Sequence, residues 1–386
     1  GVAARSHIAT QCHPDACATR YANAIETAYR HPRPSADRFV DELGVDAVLR
    51  LDDPGQRSLA IAVANSFAER EPRRRLLVDV TATAATDRMT GVERVARRLV
   101  ESWLESPPDG FRIEPVQLIE RGDEWIYVTA TEWTGRVLGT DLEGLGDEVV
   151  DAGVGDLLLV VDISGHRLVE AVAAGLHQQL RAAGCKVAAV CHDILPITHP
   201  HCFPPGADET HRQWMTAISE FDAVISTSRA VRDNVNHWLQ QNRPDRIGVV
   251  RAGNFALGTD HVGPLRTTAD SSQISRLPSG GRIFLMVGTL EPRKRHQQVL
   301  NAFEELWREG SDDRLVIVGR EGWGDLPDDL RRDIPETIGR LREHPERDRR
   351  LIWLDGLDDA GLESLYERAD MLIAASEDEG YGLPVV

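Results

Sequence analysis

The sequence predicts an α/β fold built on two mostly parallel sheets, and three observations predict it. From Arg75 onward, short apolar runs alternate with stretches of helical periodicity. That alternation implies parallel strands covered by helices on both faces. Residues 257–280 are rich in Gly, Ser, Thr and Asp and lack periodicity, which reads as a linker between two such blocks. Finally, two runs in the second block, 283–287 and 371–374, lead straight into polar turns that contain glycine. Ligands of open α/β sheets bind outside the carboxyl ends of the strands, where such turns lie.

Taken in order, residues 1–72 stand apart. Ala22, Ile25, Ala28 and Tyr29 have helical spacing, and His31-Pro32-Arg33-Pro34-Ser35 breaks that helix. A second helical stretch, 58–68, leads to the basic Arg73-Arg74-Arg75. The segment is too short and interrupted to bury a sizeable core and reads as the tail of an upstream module plus a linker. Residues 73–256 form the first Rossmann-like domain. Strands are expected at 76–80, 114–119, 156–163, 186–190, 223–226 and 247–251, and helices at 167–183 and 229–239. Thr90-Gly91-Val92-Glu93 has a capping-box pattern and opens a helix with Val92, Val95, Ala96, Leu99 and Trp103 on one face. Residues 281–386 form the second, incomplete domain. Its strands are expected at 282–287, 314–318, 351–354 and 371–374, and its helices at 296–308 and 360–368. Val299, Leu300, Phe303, Leu306 and Trp307 make the stripe of its first helix, and such a stripe is core.

Composition narrows the function. The chain has 386 residues, 41% of them hydrophobic, and a net charge of −18. That charge excludes nonspecific binding of nucleic acid by the whole surface. No apolar run approaches the roughly 18 residues of a membrane span. The five cysteines, Cys12, Cys17, Cys185, Cys191 and Cys202, are odd in number and not spaced as a disulfide framework, so a reducing compartment is expected. Cys12, His13 and Cys17 lack the partner that a zinc site needs. His199, His201 and Cys202 include a metal-ligand set, but it is crowded and has no helical spacing to aim it, so no metal is expected.

The chemistry concentrates at three places. Gly288-Thr289-Leu290-Glu291-Pro292-Arg293-Lys294 follows the strand at 283–287. Arg293 offers a planar fork for a phosphate and Lys294 a compact charge, which suits a diphosphate leaving group. The plain alternative is a solvated turn with two surface cations. Ser376-Glu377-Asp378-Glu379-Gly380-Tyr381-Gly382-Leu383-Pro384 supplies a carboxylate at another strand end. His192-Asp193-Ile194-Leu195-Pro196 follows the strand at 186–190, either beside a reacting centre or as a polar strand cap. In addition, the helix start at Thr90-Gly91 presents backbone amides to an anion or a sugar hydroxyl, or is an ordinary capped helix.

The first two stretches together resemble the donor half of a glycosyltransferase of family 4, which has the GT-B fold of two facing Rossmann-like domains. The resemblance implies that Arg293 and Lys294, with Gly288 and Thr289 beside them, hold the donor diphosphate. Many members carry Arg where this chain has Thr289. Glu379 matches the first of two family glutamates, near the donor sugar, and Gly380, Tyr381 and Gly382 form the donor-sugar loop. The second glutamate falls at position 387, one past the last residue. His192 and Asp193 match a His-Asp near the transferred sugar, and Asp79, Thr90, Gly91 and Arg94 align with the acceptor-side strand, loop and helix.

The activity implied is retaining transfer of a sugar from a nucleotide diphosphate to a saccharide or lipid-linked acceptor in polysaccharide or O-antigen synthesis. The motif is most like that of mannosyltransferases, so GDP-mannose is the first donor to expect. The absence of Asp-x-Asp favours cationic side chains over a metal as the diphosphate clamp. The expected placement is the cytoplasm, free or peripheral at the inner face of its membrane. Another glycosyltransferase module is expected upstream, and the fragment itself is expected to be inactive. Two alternatives stay open, a nucleotide-sugar epimerase of the same architecture and a non-catalytic scaffold.

Overall fold

A computed structural model describes residues 74–85, 91–140, 142, 145–163, 165–258 and 280–385, with scattered positions between 43 and 62. Residues 1–73 fall in one compact unit and 74–386 in another. The helix expected over 21–30, its proline break, Cys12, His13 and Cys17 lie outside the described residues.

The 74–386 unit contains two sheets. The first has strands β1 (Arg74–Asp79), β2 (Phe111–Arg121), β3 (Glu124–Thr129), β4 (Leu157–Val160), β5 (Lys186–Cys191), β6 (Ala223–Ser226) and β7 (Arg251–Asn254), in the spatial order β3-β2-β1-β4-β5-β6-β7. All its pairings are parallel except β2 with β3. The second has β8 (Ile283–Val287), β9 (Arg314–Val318), β10 (Leu351–Leu354) and β11 (Met371–Leu372), in the order β10-β9-β8-β11, all parallel. Central strands are apolar at nearly every position because helices cover both faces. Every residue of β9 is buried. Leu77, Leu158 and Val187 face one core of the first sheet, and Val78, Leu159 and Ala188 face the other.

Three local expectations need correction. β3 was not expected, yet it closes an antiparallel edge hairpin. Arg121 pairs Glu124 across Gly122-Asp123, and Gly122 takes φ 65°. A two-residue turn of this kind needs positive φ, which glycine supplies. The helix expected at 167–183 is two, α4 (His166–Ala173) and α5 (Leu176–Ala182), in a series begun by α1 (Thr81–Ala85), α2 (Gly91–Glu105) and α3 (Thr131–Leu138). Gly175, at φ 84°, breaks it. The strand expected at 247–251 starts only at Arg251, because a 3-10 turn over Pro244–Arg246 and Gly248 at φ 78° take up the preceding chain.

Strand order locates the crevices. In the first sheet the chain builds outward from β1 to β2 and β3, then returns to the other side of β1 with β4. In the second it builds from β8 to β9 and β10, then returns to β8 with β11. Ligand crevices open at such reversals, outside the carboxyl ends of the strands. Among the described residues, no helix is long and apolar enough to cross a membrane.

Candidate active site

At the second reversal, β8 ends in Gly288, whose φ of 148° is one that side chains rarely adopt. A Cβ there would stand 3.1 Å from Lys294 Cε, so the bare backbone leaves room for the lysine stem. The chain then turns through a 3-10 helix, Pro292–Lys294, which points both cations back over the strand ends. Lys294 is 7% exposed and its Nζ is ion-paired with Glu379 Oε1. Arg293 donates to Glu379 Oε2 at 2.8 Å and to Glu291 Oε2 at 3.1 Å. Ser376 Oγ donates to Glu379 Oε1 at 2.5 Å. Two cations from β8 thus meet one carboxylate from beyond β11.

Burial pushes the Glu379 carboxyl up, but Arg293, Lys294 and Ser376 outweigh it and hold it below the usual range. Burial pushes Glu291 up further than Arg293 and Lys294 pull it down. For Arg293 burial acts downward, and the two carboxylates raise it overall.

His192 and Asp193 cap β5. His192 Nε2 lies 2.8 Å from the Val161 carbonyl beyond β4. A carbonyl only accepts, so Nε2 carries the proton and a neutral ring keeps its lone pair on Nδ1. Burial lowers the His192 pKa against the Val161 bond and the Asp193 charge, which favours the neutral form. Asp193 Oδ1 accepts from Leu195 N at 3.0 Å, at the start of the short helix α6 (Leu195–Thr198).

The loop of Gly380, Tyr381 and Gly382 crosses to the first sheet's side. A Cβ on Gly380 would fall 2.5 Å from His192 O and 3.0 Å from Asp193 Cβ, so only glycine fits. Ser228 Oγ donates to Gly380 O at 2.7 Å, and Tyr381 OH to Leu257 O at 2.8 Å. Gly382 takes φ 86°. His192, Asp193, Arg293, Lys294, Glu379 and Gly380 are therefore neighbours. Of the residues expected to face an acceptor, Thr90 lies outside the described residues. Gly91 opens α2 with open space around it, and Arg94 lies half-buried in its first turn.

Sequence reasoning missed the partners that set this geometry. Ser228 lies in no motif, and Ser376, though it opens the Ser376–Pro384 stretch, has nothing in its spacing that marks it as a partner of Glu379. It also missed a buried polar network at the first reversal. Asp79 accepts from Thr81 N at 2.9 Å and from Tyr127 OH at 2.9 Å, and the Tyr127 oxygen lies 3.2 Å from His177 Nε2. Asp162 accepts from Thr83 N and Oγ1, both at 2.8 Å. Burial and then the Asp79 charge push Asp162 up to about 7. The resemblance had singled out Asp79, but for its partners and for Asp162 the sequence offered no more than an Asp after an apolar run.

Two parallel-dominated sheets with a cation–carboxylate cluster at a strand reversal define an α/β ligand-binding protein. Residues 268–386 match the family model described as glycosyl transferases group 1. The serotype-specific mannosyltransferase WbdA of Escherichia coli is 34% identical over 355 residues, covering 89% of this chain and 40% of its own length. The chain thus spans about two fifths of the length of that curated relative. A D-inositol 3-phosphate glycosyltransferase of Corynebacterium efficiens is 29% identical over 163 residues, 42% of this chain and 36% of that protein. Among solved structures, the catalytic domain of starch synthase IV from Arabidopsis thaliana overlays with a TM-score of 0.49 at 11% identity, over 81% of this chain and 80% of that one.

Proposed function

We propose that the chain is the sugar-transferring part of a polysaccharide-synthesis enzyme. It moves mannose from GDP-mannose, or a related nucleotide-diphosphate sugar, to a saccharide or lipid-linked acceptor, with retention at the anomeric carbon. One observation carries the reading. Arg293 and Lys294 converge on a single carboxylate at the β8–β11 reversal, next to His192. The group 1 domain and the mannosyltransferase relative support it.

Glu379 occupies the cations in the way an anionic ligand does. The donor diphosphate displaces it, and the freed carboxylate turns to a hydroxyl of the donor sugar. When the bond between the sugar and the diphosphate breaks, positive charge grows on the ring and negative charge on the departing phosphate. Arg293 and Lys294 stabilise that leaving charge without a metal. His192 presents an unprotonated Nδ1 beside the reacting centre, oriented by Val161 and closed over by Gly380.

The test is a panel of nucleotide sugars, GDP-mannose first, incubated with the protein, with and without acceptor. Donor consumed only when acceptor is present is the expected result. Conversion of the donor sugar without acceptor identifies an epimerase instead, and an untouched donor identifies a scaffold.

A further inference from the structure

We propose that His201, Cys202 and Glu377 bind a divalent transition metal, zinc in the first instance, that clasps the two halves of the 74–386 unit. Two of these residues come from the first half, on the 3-10 turn Pro200–Cys202 that follows α6, and Glu377 comes from just past β11. His201 Nε2 lies 2.9 Å from Glu377 Oε1, and Cys202 Sγ lies 3.7 Å from Glu377 Oε2. One donor atom from each residue lies within 4.8 Å of the others. Ligands around a tetrahedral zinc, at about 2.0–2.3 Å from the ion, stand roughly 3.5 Å apart. The three atoms therefore need to move by about an ångström or less.

The donor set selects the metal. Thiolate and imidazole with one carboxylate suit zinc or cobalt, whereas magnesium and calcium want oxygen alone. A neutral imidazole, a thiolate and a carboxylate balance the ion's two charges, and the Cys202 thiol proton leaves to solvent. Water takes the fourth position.

The frame around the site is already built. Cys202 is 1% exposed. The Phe203 ring packs on Trp323 of the second half at 5.9 Å between centroids, and Arg332 donates to Pro200 O at 3.1 Å and to Phe203 O. Glu377 N donates to Arg293 O at 2.8 Å, which ties the carboxylate's backbone to the phosphate-binding turn. Arg295 now pairs with Glu377 Oε2. With its side chain 42% exposed, it turns to solvent when the metal takes over that charge. His199 stands beside the set, its ring 6.0 Å from that of His201 and its Nδ1 2.9 Å from Thr198 Oγ1. The site is distinct from the Arg293–Lys294 clamp and does not depend on the transferase reading.

Cobalt titration of the whole chain tests it. One cobalt per chain should produce a thiolate-to-metal charge-transfer band that zinc abolishes and magnesium does not. Cys202→Ser should remove the band, while Cys12→Ser with Cys17→Ser should leave it intact. Glu377→Gln keeps the shape of the side chain, and by calorimetry it should weaken zinc by more than about tenfold. A chain that gives no band overturns the proposal. So does a band that survives Cys202→Ser, or a Glu377→Gln chain with wild-type zinc affinity and an unchanged circular dichroism spectrum.

Discussion

Glu379 neutralises the two cations that the proposed function assigns to the donor diphosphate, so single substitutions around it should act with opposite signs. Lys294→Ala removes a charge-assisted contact and should cost about 1.5–3 kcal/mol of GDP affinity, read by calorimetry. Glu379→Ala removes the competitor. It should bind GDP more tightly than the parent while losing sugar transfer, because the carboxylate that turns to the sugar is gone. Weaker GDP binding by Glu379→Ala would show that the carboxylate holds the site together rather than occupying it. At this scale much was legible in the sequence. Arg293, Lys294 and Glu379 sit in contiguous motifs at strand ends. Glu291 and Ser376 were not legible as partners, because a side chain's neighbour across a crevice leaves no mark in local spacing.

The elements place that chemistry through strand ends that touch. A Cβ added to Gly319, just after β9, would lie 1.9 Å from Gly288 O, which is backbone and cannot yield. Gly319→Ala should therefore separate the ends of β8 and β9, cost about 1–3 kcal/mol of stability and weaken GDP binding through the displaced Lys294 turn. Gly324 lies five residues further on, but its added Cβ would meet nothing nearer than 3.6 Å. Gly324→Ala should stay within about 0.5 kcal/mol of the parent. Chemical denaturation of the two variants checks both values, and equal losses would refute the assignment. Both residues are simply Gly in the sequence, and only the packing of β8 beside β9 singles out Gly319 for the close approach.

On the scale of the whole molecule, the buried carboxylates at the first reversal make stability depend on pH. Asp162 titrates near 3.8 when exposed and is pushed up to about 7 in the fold, by burial and then by Asp79. Between those values the folded chain keeps a proton that the unfolded chain has lost, so stability falls as pH rises through the window and levels off above about 7. Asp79 is also raised, chiefly by burial, and burial lowers the nearby His177 to about 4. Asp162→Asn keeps an acceptor for Thr83 and removes one titration. The difference between its melting temperature and the parent's should grow from pH 4 to pH 7 and then stay constant. Parallel curves across that range would show that Asp162 is ionised in the fold.

By itself the sequence determined the alternation of strands and helices, the apolar character of the strands, and the cationic and acidic motifs at strand ends. Each of these is written in consecutive residues or in a period of a few. Tertiary structure alone decided that β11 returns beside β8, which puts Glu379 on Arg293 and Lys294. It also seated Gly380 on His192, joined Asp79 to Tyr127 and His177, and brought Glu377 to His201 from 176 residues away. Such meetings depend on strand order and register. These are set by how whole faces pack against one another, and no local pattern of side chains encodes them.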